Sequence, residues 1–149
     1  MPSTSVEFLL VVEPGPLEAQ SILLCESVRT FGGRYKDARI TAVSPRADWR
    51  PSDDARRRLA TLGAEYRPAD LISPAPEYGT SYRILAAAMV GRQAGPPVLV
   101  QLDSDTVFVG EPDLRLGDDL LLARPVDSRA PDSRCPAVAV TGTAVARPA

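Results

Sequence analysis

The chain contains no histidine. That absence excludes imidazole acid–base chemistry, Ser-His-Asp and Cys-His nucleophile systems, and histidine-ligated zinc. Cysteine is nearly absent too. Cys25 falls in a helical pattern and Cys135 in a poorly patterned tail, so no disulfide framework is expected and Cys25 reads as a buried structural thiol. No apolar run approaches the ~18 residues of a membrane span. The N-terminus has no basic region before its apolar stretch, and Glu7 interrupts that stretch. No secretory signal is read, and the expected compartment is the cytosol. A net charge of −2 and a pI near 5.2 give no electrostatic reason to expect a nucleic acid partner.

What is present fits one soluble domain: 149 residues, 44% apolar and 24% charged. Fifteen prolines sit mostly between apolar runs and mark loops. Val6 to Val12 reads as a first buried strand, ended by Glu13-Pro14-Gly15-Pro16, with Pro16 suited to a first helical position. Leu17, Leu24, Val28 and Phe31 form one helical face, and Gly32-Gly33 a stop. Arg39 to Ser44 is a second strand. Ser52-Asp53-Asp54 opens a second helix, with Ala55, Leu59 and Leu62 inward, Gly63 as its stop and Arg56-Arg57-Arg58 as a solvated face. Ala64 to Arg67 is a short strand. Tyr82 to Gln93 is a third helix, capped by Thr80 or Ser81, with Leu85, Ala88 and Met89 as its apolar face and Gly95-Pro96-Pro97 as its break.

The segment 97–109, Pro-Val-Leu-Val-Gln-Leu-Asp-Ser-Asp-Thr-Val-Phe-Val, is the centre of the reading. An apolar strand ends abruptly in two carboxylates one residue apart, and a second β-prone run follows. Strands alternating with helices predict an α/β fold, a mostly parallel sheet with flanking helices in a Rossmann-like layout. Ligands of such sheets bind beyond the carboxyl ends of the strands. Asp103 and Asp105 there suit a divalent cation, since Mg²⁺ and Mn²⁺ take oxygen ligands and Mg²⁺ commonly shares its shell between carboxylates and phosphates. Beyond Gly110 the pattern weakens: Leu120 to Ala123 reads as one more strand, and 125–149 as an irregular, weakly attached tail whose strand-like piece is Val138-Ala139-Val140.

The run Leu102-Asp103-Ser104-Asp105-Thr106-Val107-Phe108-Val109-Gly110-Glu111-Pro112 resembles the Asp-x-Asp segment of GT-A-fold glycosyltransferases, which use nucleotide-sugar donors. The segment Tyr82 to Ala88 resembles the helix leading into that motif, with Arg83 in the place of a basic residue that faces the donor. The strand end at Val12-Glu13-Pro14 resembles the part that meets the nucleotide base. The resemblance covers residues 5–124 and implies a donor-binding domain for a UDP- or GDP-sugar. It implies Val12, Glu13, Pro14, Arg83, Asp103 and Ser104 as donor contacts, and Asp103 and Asp105 as ligands of Mn²⁺ or Mg²⁺. A cation there would act as a Lewis acid toward the diphosphate leaving group, with Arg83 adding a charge-assisted bond.

Members of that family are longer than this chain, and their second half builds the acceptor site. The expectation is therefore a truncated member, with turnover by the chain alone left open and self-association favoured by an exposed sheet edge. Two other readings stand beside it. One is a non-catalytic nucleotide-binding or structural α/β fragment. The other is a haloacid-dehalogenase-like phosphatase, which would need its Asp-x-Asp on the first strand, a later lysine and a distal acidic pair. Here the motif follows the fourth strand, the only lysine is Lys36, and Asp118-Asp119 is close by.

Overall fold

The computed structural model describes residues 6–93 and 98–114, and the backbone of 121–122 and 142–146. Strand β1 (Val6–Val11) lies in the middle of the sheet. On one side it pairs in parallel with β2 (Arg39–Ser44), which pairs in parallel with β3 (Ala64–Pro68). On the other side it pairs in parallel with β4 (Val98–Leu102). Two further strands, β5 (Leu121–Leu122) and β6 (Gly142–Ala146), complete the order β3-β2-β1-β4-β6-β5, with β6 antiparallel to both β4 and β5. The fold is α/β with a mostly parallel sheet, as expected from the alternation of strands and helices.

Period-two alternation divides the strand residues between two buried faces. Phe8, Leu10, Val12, Ile40, Ala42, Val98, Val100 and Leu102 pack against α1 (Pro16–Phe31) and α2 (Asp53–Thr61), through Ile22, Leu24, Cys25, Val28, Ala55 and Leu59. Leu9, Val43 and Leu99 point the other way, onto Ala86 and Val90 of α3 (Gly79–Gly91). Burial pushes the Cys25 thiol up to about 12, which makes it an inert packing group. Glu7 is buried within β1, where its carboxylate accepts a 2.7 Å hydrogen bond from the Thr41 hydroxyl.

The helix ends follow local chemistry. Pro16 opens α1 as expected. Ser52 caps α2 by accepting from the Ala55 N–H at 3.2 Å, and Glu18 of α1 in turn accepts from the Ser52 N–H and hydroxyl at 2.7 and 2.8 Å. At the opposite edge, Arg29 donates to the carbonyls of Leu62, Lys36, Ala38 and Gly63, tying the ends of α1 and α2 together. Arg56 and Arg57 pair with Asp53 and Asp54 and Arg58 with Glu26, which confirms a solvated helix face.

Four expectations within residues 6–114 need correction. Helix α3 begins at Gly79, so Thr80 and Ser81 lie in its first turn instead of capping it, and the Ser81 hydroxyl donates back to the Tyr78 carbonyl. Its buried face is Tyr82, Ala86 and Val90, with Leu85 and Met89 half-buried and Ala88 exposed; a run of alanines gives little apolar contrast to fix the face. Phe31, the last residue of α1, is half exposed. The β-prone run after the acids is irregular: only Phe108 enters the core, edge-on to Phe8 at 5.5 Å, while Val107 and Val109 are exposed.

The backbone at 142–146 is a strand in a segment read as irregular. Val138 to Val140, Gly95 to Pro97, Asp118, Asp119 and Cys135 lie outside the described residues. No helix of the described residues is long and apolar enough to cross a membrane.

The outer strands carry an ionic cluster with a defined acid response. Arg67 donates to Glu65 at 2.7 Å and Arg39 at 2.6 Å, and together they lower the Glu65 carboxyl to about 2 from its usual 4.5. A carboxylate whose folded value is depressed stabilises above its unfolded value, and that contribution is lost as pH falls toward the folded one. Glu65 is about half exposed, so the effect is screened and small. The urea midpoint is expected to fall less between pH 5 and pH 2 in Glu65→Gln than in the parent protein.

Candidate functional site

The chain leaves β1 through α1 toward β2 on one side, and later returns through α3 to β4 on the other. The two connections diverge beyond the carboxyl ends of β1 and β4, the point of strand-order reversal at which sheets of this kind place their ligand crevice. Leu9 is level with Gln101 in the β1–β4 register, so two residues further Val11 is level with Asp103. The first and fourth strands thus bring Val12-Glu13-Pro14 and Asp103-Ser104-Asp105 to one edge, although about ninety residues separate them.

At the β1 side, the Val12 N–H still bonds the Val43 carbonyl at 2.9 Å, and its side chain is buried in the core, so only its backbone faces the edge. Glu13 is well shielded, and its carboxylate accepts from Nε and Nη2 of Arg46, both at 2.7 Å. Pro14 is half-buried, and Gly15 follows at φ +86°, a left-handed turn that aims the chain into α1. The Arg46 guanidinium lies 3.7 Å from the Trp49 ring centroid and 5.3 Å from that of Tyr82. One cation therefore joins the end of β1, the loop after β2 and the first turns of α3.

At the β4 side, the Thr106 N–H donates to the Asp103 carbonyl at 3.0 Å, closing a turn with Ser104 and Asp105 at its centre. Arg83, one residue past Tyr82 on α3, forms an ion pair with Asp103 and a 3.3 Å bond to the Thr80 hydroxyl. Asp105 is exposed, and its side chain meets no partner among the described residues. Ser104 is half-buried in the same turn.

This arrangement sorts the expected site residues. Glu13, Arg83, Asp103, Ser104 and Asp105 all lie at the crevice edge, but Glu13 is engaged by Arg46 and Asp103 by Arg83. Among the described residues no third histidine, cysteine or acid joins the two aspartates. Two carboxylates, one of them unpaired, suit a hard cation that completes its shell with water or phosphate oxygens, and do not suit an all-protein cage. A shallow groove lined by Asp53, Arg56, Arg57, Ala60 and Tyr66 shares no residue with the crevice.

Sequence reasoning missed Arg46, Trp49 and Tyr82 as members of the site. The available signal was position: Arg46 comes two residues after β2 ends, at the same carboxyl edge as Glu13, and Tyr82 precedes Arg83.

Removing Arg46 leaves the shielded Glu13 carboxylate unpaired and deletes both ring contacts. Arg46→Ala is expected to cost about 2 kcal/mol in urea unfolding followed by circular dichroism. Arg46→Lys should recover only part of this, because a lysine keeps the charge and loses the planar stack.

With the geometry in hand, known proteins give a consistent answer. Residues 8–143 match the family model described as the Rhodobacterales glycosyltransferase domain. Among solved structures, the apo-form glycosyltransferase GlyE of Streptococcus pneumoniae TIGR4 is similar with a TM-score of 0.53 at 14% identity, over 97% of this chain and 34% of that one. This chain therefore spans about a third of the GlyE chain, and at that identity the likeness shows the fold alone. No curated protein matches the sequence. The family model covers most of the chain, and the chain belongs to the Rhodobacterales glycosyltransferase domain family.

Proposed function

We propose that the crevice between β1 and β4 binds the nucleotide-diphosphate part of a UDP- or GDP-sugar, in the manner of a GT-A-fold donor site. The observation that carries this reading is the acid turn directly after β4, with Arg83 against it, at the strand-order reversal of a glycosyltransferase-family chain. Asp103 and Asp105 would hold Mn²⁺ or Mg²⁺, which when bound supplies neutralising charge for the diphosphate leaving group.

The reaction class is glycosyl transfer: the bond between the sugar's anomeric carbon and the diphosphate oxygen breaks, the nucleoside diphosphate departs with the electron pair, and an acceptor hydroxyl oxygen bonds the anomeric carbon while its proton passes to water. The protein's own residues would serve that charge separation. Arg83 neutralises Asp103 in the ligand-free protein and turns to a phosphate oxygen when donor arrives, which frees the carboxylate. Asp105 contributes an unpaired carboxylate from an exposed turn. Ser104 offers a hydroxyl between them. At the β1 side, Pro14 and the backbone of Val12 flank the nucleoside end. Glu13 orients Arg46 so that the Arg46–Trp49 stack presents a flat, partly exposed surface for a base, a type of contact worth about 1–3 kcal/mol.

A phosphatase would place its first aspartate on β1; here that strand ends in Val12-Glu13, and the family is a glycosyltransferase one.

Trp49 is the only tryptophan, so its emission reports on this surface. Titration with UDP and GDP in Mn²⁺ is expected to change that emission saturably for one of them, with reversal by EDTA. Asp105→Ala should weaken the response on the order of tenfold or more. No calorimetric heat with either nucleotide, or binding indifferent to metal and to Asp105→Ala, would contradict donor binding through the acid turn. Hydrolysis of a generic phosphomonoester would favour the phosphatase reading.

A further inference from the structure

The acid turn belongs to no helix or strand, yet a metal-binding carboxylate needs a fixed position. Beyond its attachment to β4 and Arg83, the turn has anchors downstream. The Phe108 ring is locked in the core, and the Phe108 N–H donates at 3.0 Å to the buried Ser27 hydroxyl of α1, which itself donates at 2.7 Å to the Leu24 carbonyl. Three residues later Glu111 reaches the 3-10 turn Gly33–Tyr35 that follows α1. One carboxylate oxygen accepts from the Arg34 backbone N–H at 2.9 Å and the other from Arg34 Nε at 2.6 Å. Gly33, at φ +56°, leaves the notch that admits this side chain, since a Cβ there would overlap the Glu111 carboxylate. Pro112 is buried next to it.

We infer that Glu111 is a positioning residue for the acid turn: its clasp on Gly33-Arg34 fixes the far end of the segment that carries Asp105. An exposed ion pair on its own contributes little to stability. This one adds a backbone N–H and a seat that only glycine leaves open, so its effect is geometric more than energetic. The segment 103–111 is thereby held at both ends, by β4 on one side and by Phe108 and Glu111 on the other. The exposed Asp105 side chain lies between the two anchors. The Arg34 N–H and guanidinium hold the Glu111 carboxyl below its ordinary range, so the clasp persists into mild acid.

The functional half of this inference rests on donor binding as proposed above, and its test separates the two. Hydrogen–deuterium exchange across 103–110 is measured in the parent protein, Glu111→Gln and Glu111→Ala, together with UDP and GDP affinity with and without Mn²⁺. Faster exchange in both variants, with the Mn²⁺-dependent part of nucleotide affinity reduced on the order of tenfold in Glu111→Ala and the metal-free affinity unchanged, is the expected result. A merely structural residue would lower both affinities together or neither. Unchanged exchange in Glu111→Ala overturns the clasp. Faster exchange with unaltered Mn²⁺-dependent affinity overturns its positioning role. If the parent protein binds neither nucleotide, the donor reading fails and the positioning role falls with it, while the exchange data still decide whether the clasp orders the turn.

Discussion

Strand β1 is hydrogen-bonded in parallel to β2 on one edge and to β4 on the other, and both of its faces are buried. Parallel neighbours cannot be joined by a hairpin, so each connection must cross over the sheet. The crossover through α1 moves the chain toward β2, and the one through α3 brings it back to β4. A reversal of strand order at the carboxyl ends of β1 and β4, where such sheets bind ligands, is the consequence. The tethers around it follow: Glu13 at the end of one strand, Asp103 at the end of the other, and α3 supplying Tyr82 and Arg83 between them.

Charge compensation is the second organising feature. Within the crevice each interior charge has a partner from a different element: Glu13 with Arg46, Asp103 with Arg83. Asp105 is the exception, exposed and unpaired among the described side chains. Pairing Glu13 and Asp103 in this way keeps two of the three carboxylates neutralised where they leave bulk water. The two arginines are not equivalent. Arg46 is stacked and twice bonded to one carboxylate, which suits a fixed wall. Arg83 is in the second turn of α3 beside a single acid and a hydroxyl, which suits a group that changes partner.

Much of the fold was legible because strand and helix periods were locally unambiguous. Phe8, Leu10 and Val12 alternate with Leu9 and Val11, and Ser52-Asp53-Asp54 carries its own cap chemistry. The acid pair was legible for the same reason, since an apolar strand that ends in charge has few places to go. Contacts between elements were not legible. Arg46 and Glu13 are thirty-three residues apart, and only its place just past the end of β2 sets Arg46 apart from the other arginines. The face of α3 was misread because its alanines carry little apolar contrast, and Val107-Phe108-Val109 because one buried ring was enough to hold the loop without a strand. Glu111 read as part of a turn; its role depends on a glycine seventy-eight positions earlier in the chain.

Binding of a metal–nucleotide complex at the strand-order reversal is the central claim, and Mn²⁺ can report its own location. In ¹H–¹⁵N spectra with UDP or GDP present, Mn²⁺ should broaden amide resonances in a zone centred on Asp103 to Thr106 and reaching Arg83. Residues of the outer α2 surface, such as Arg57 and Ala60, should keep theirs, and Asp105→Ala should abolish the effect. Broadening centred on α2, or spread without preference over the acidic surface, would contradict the account.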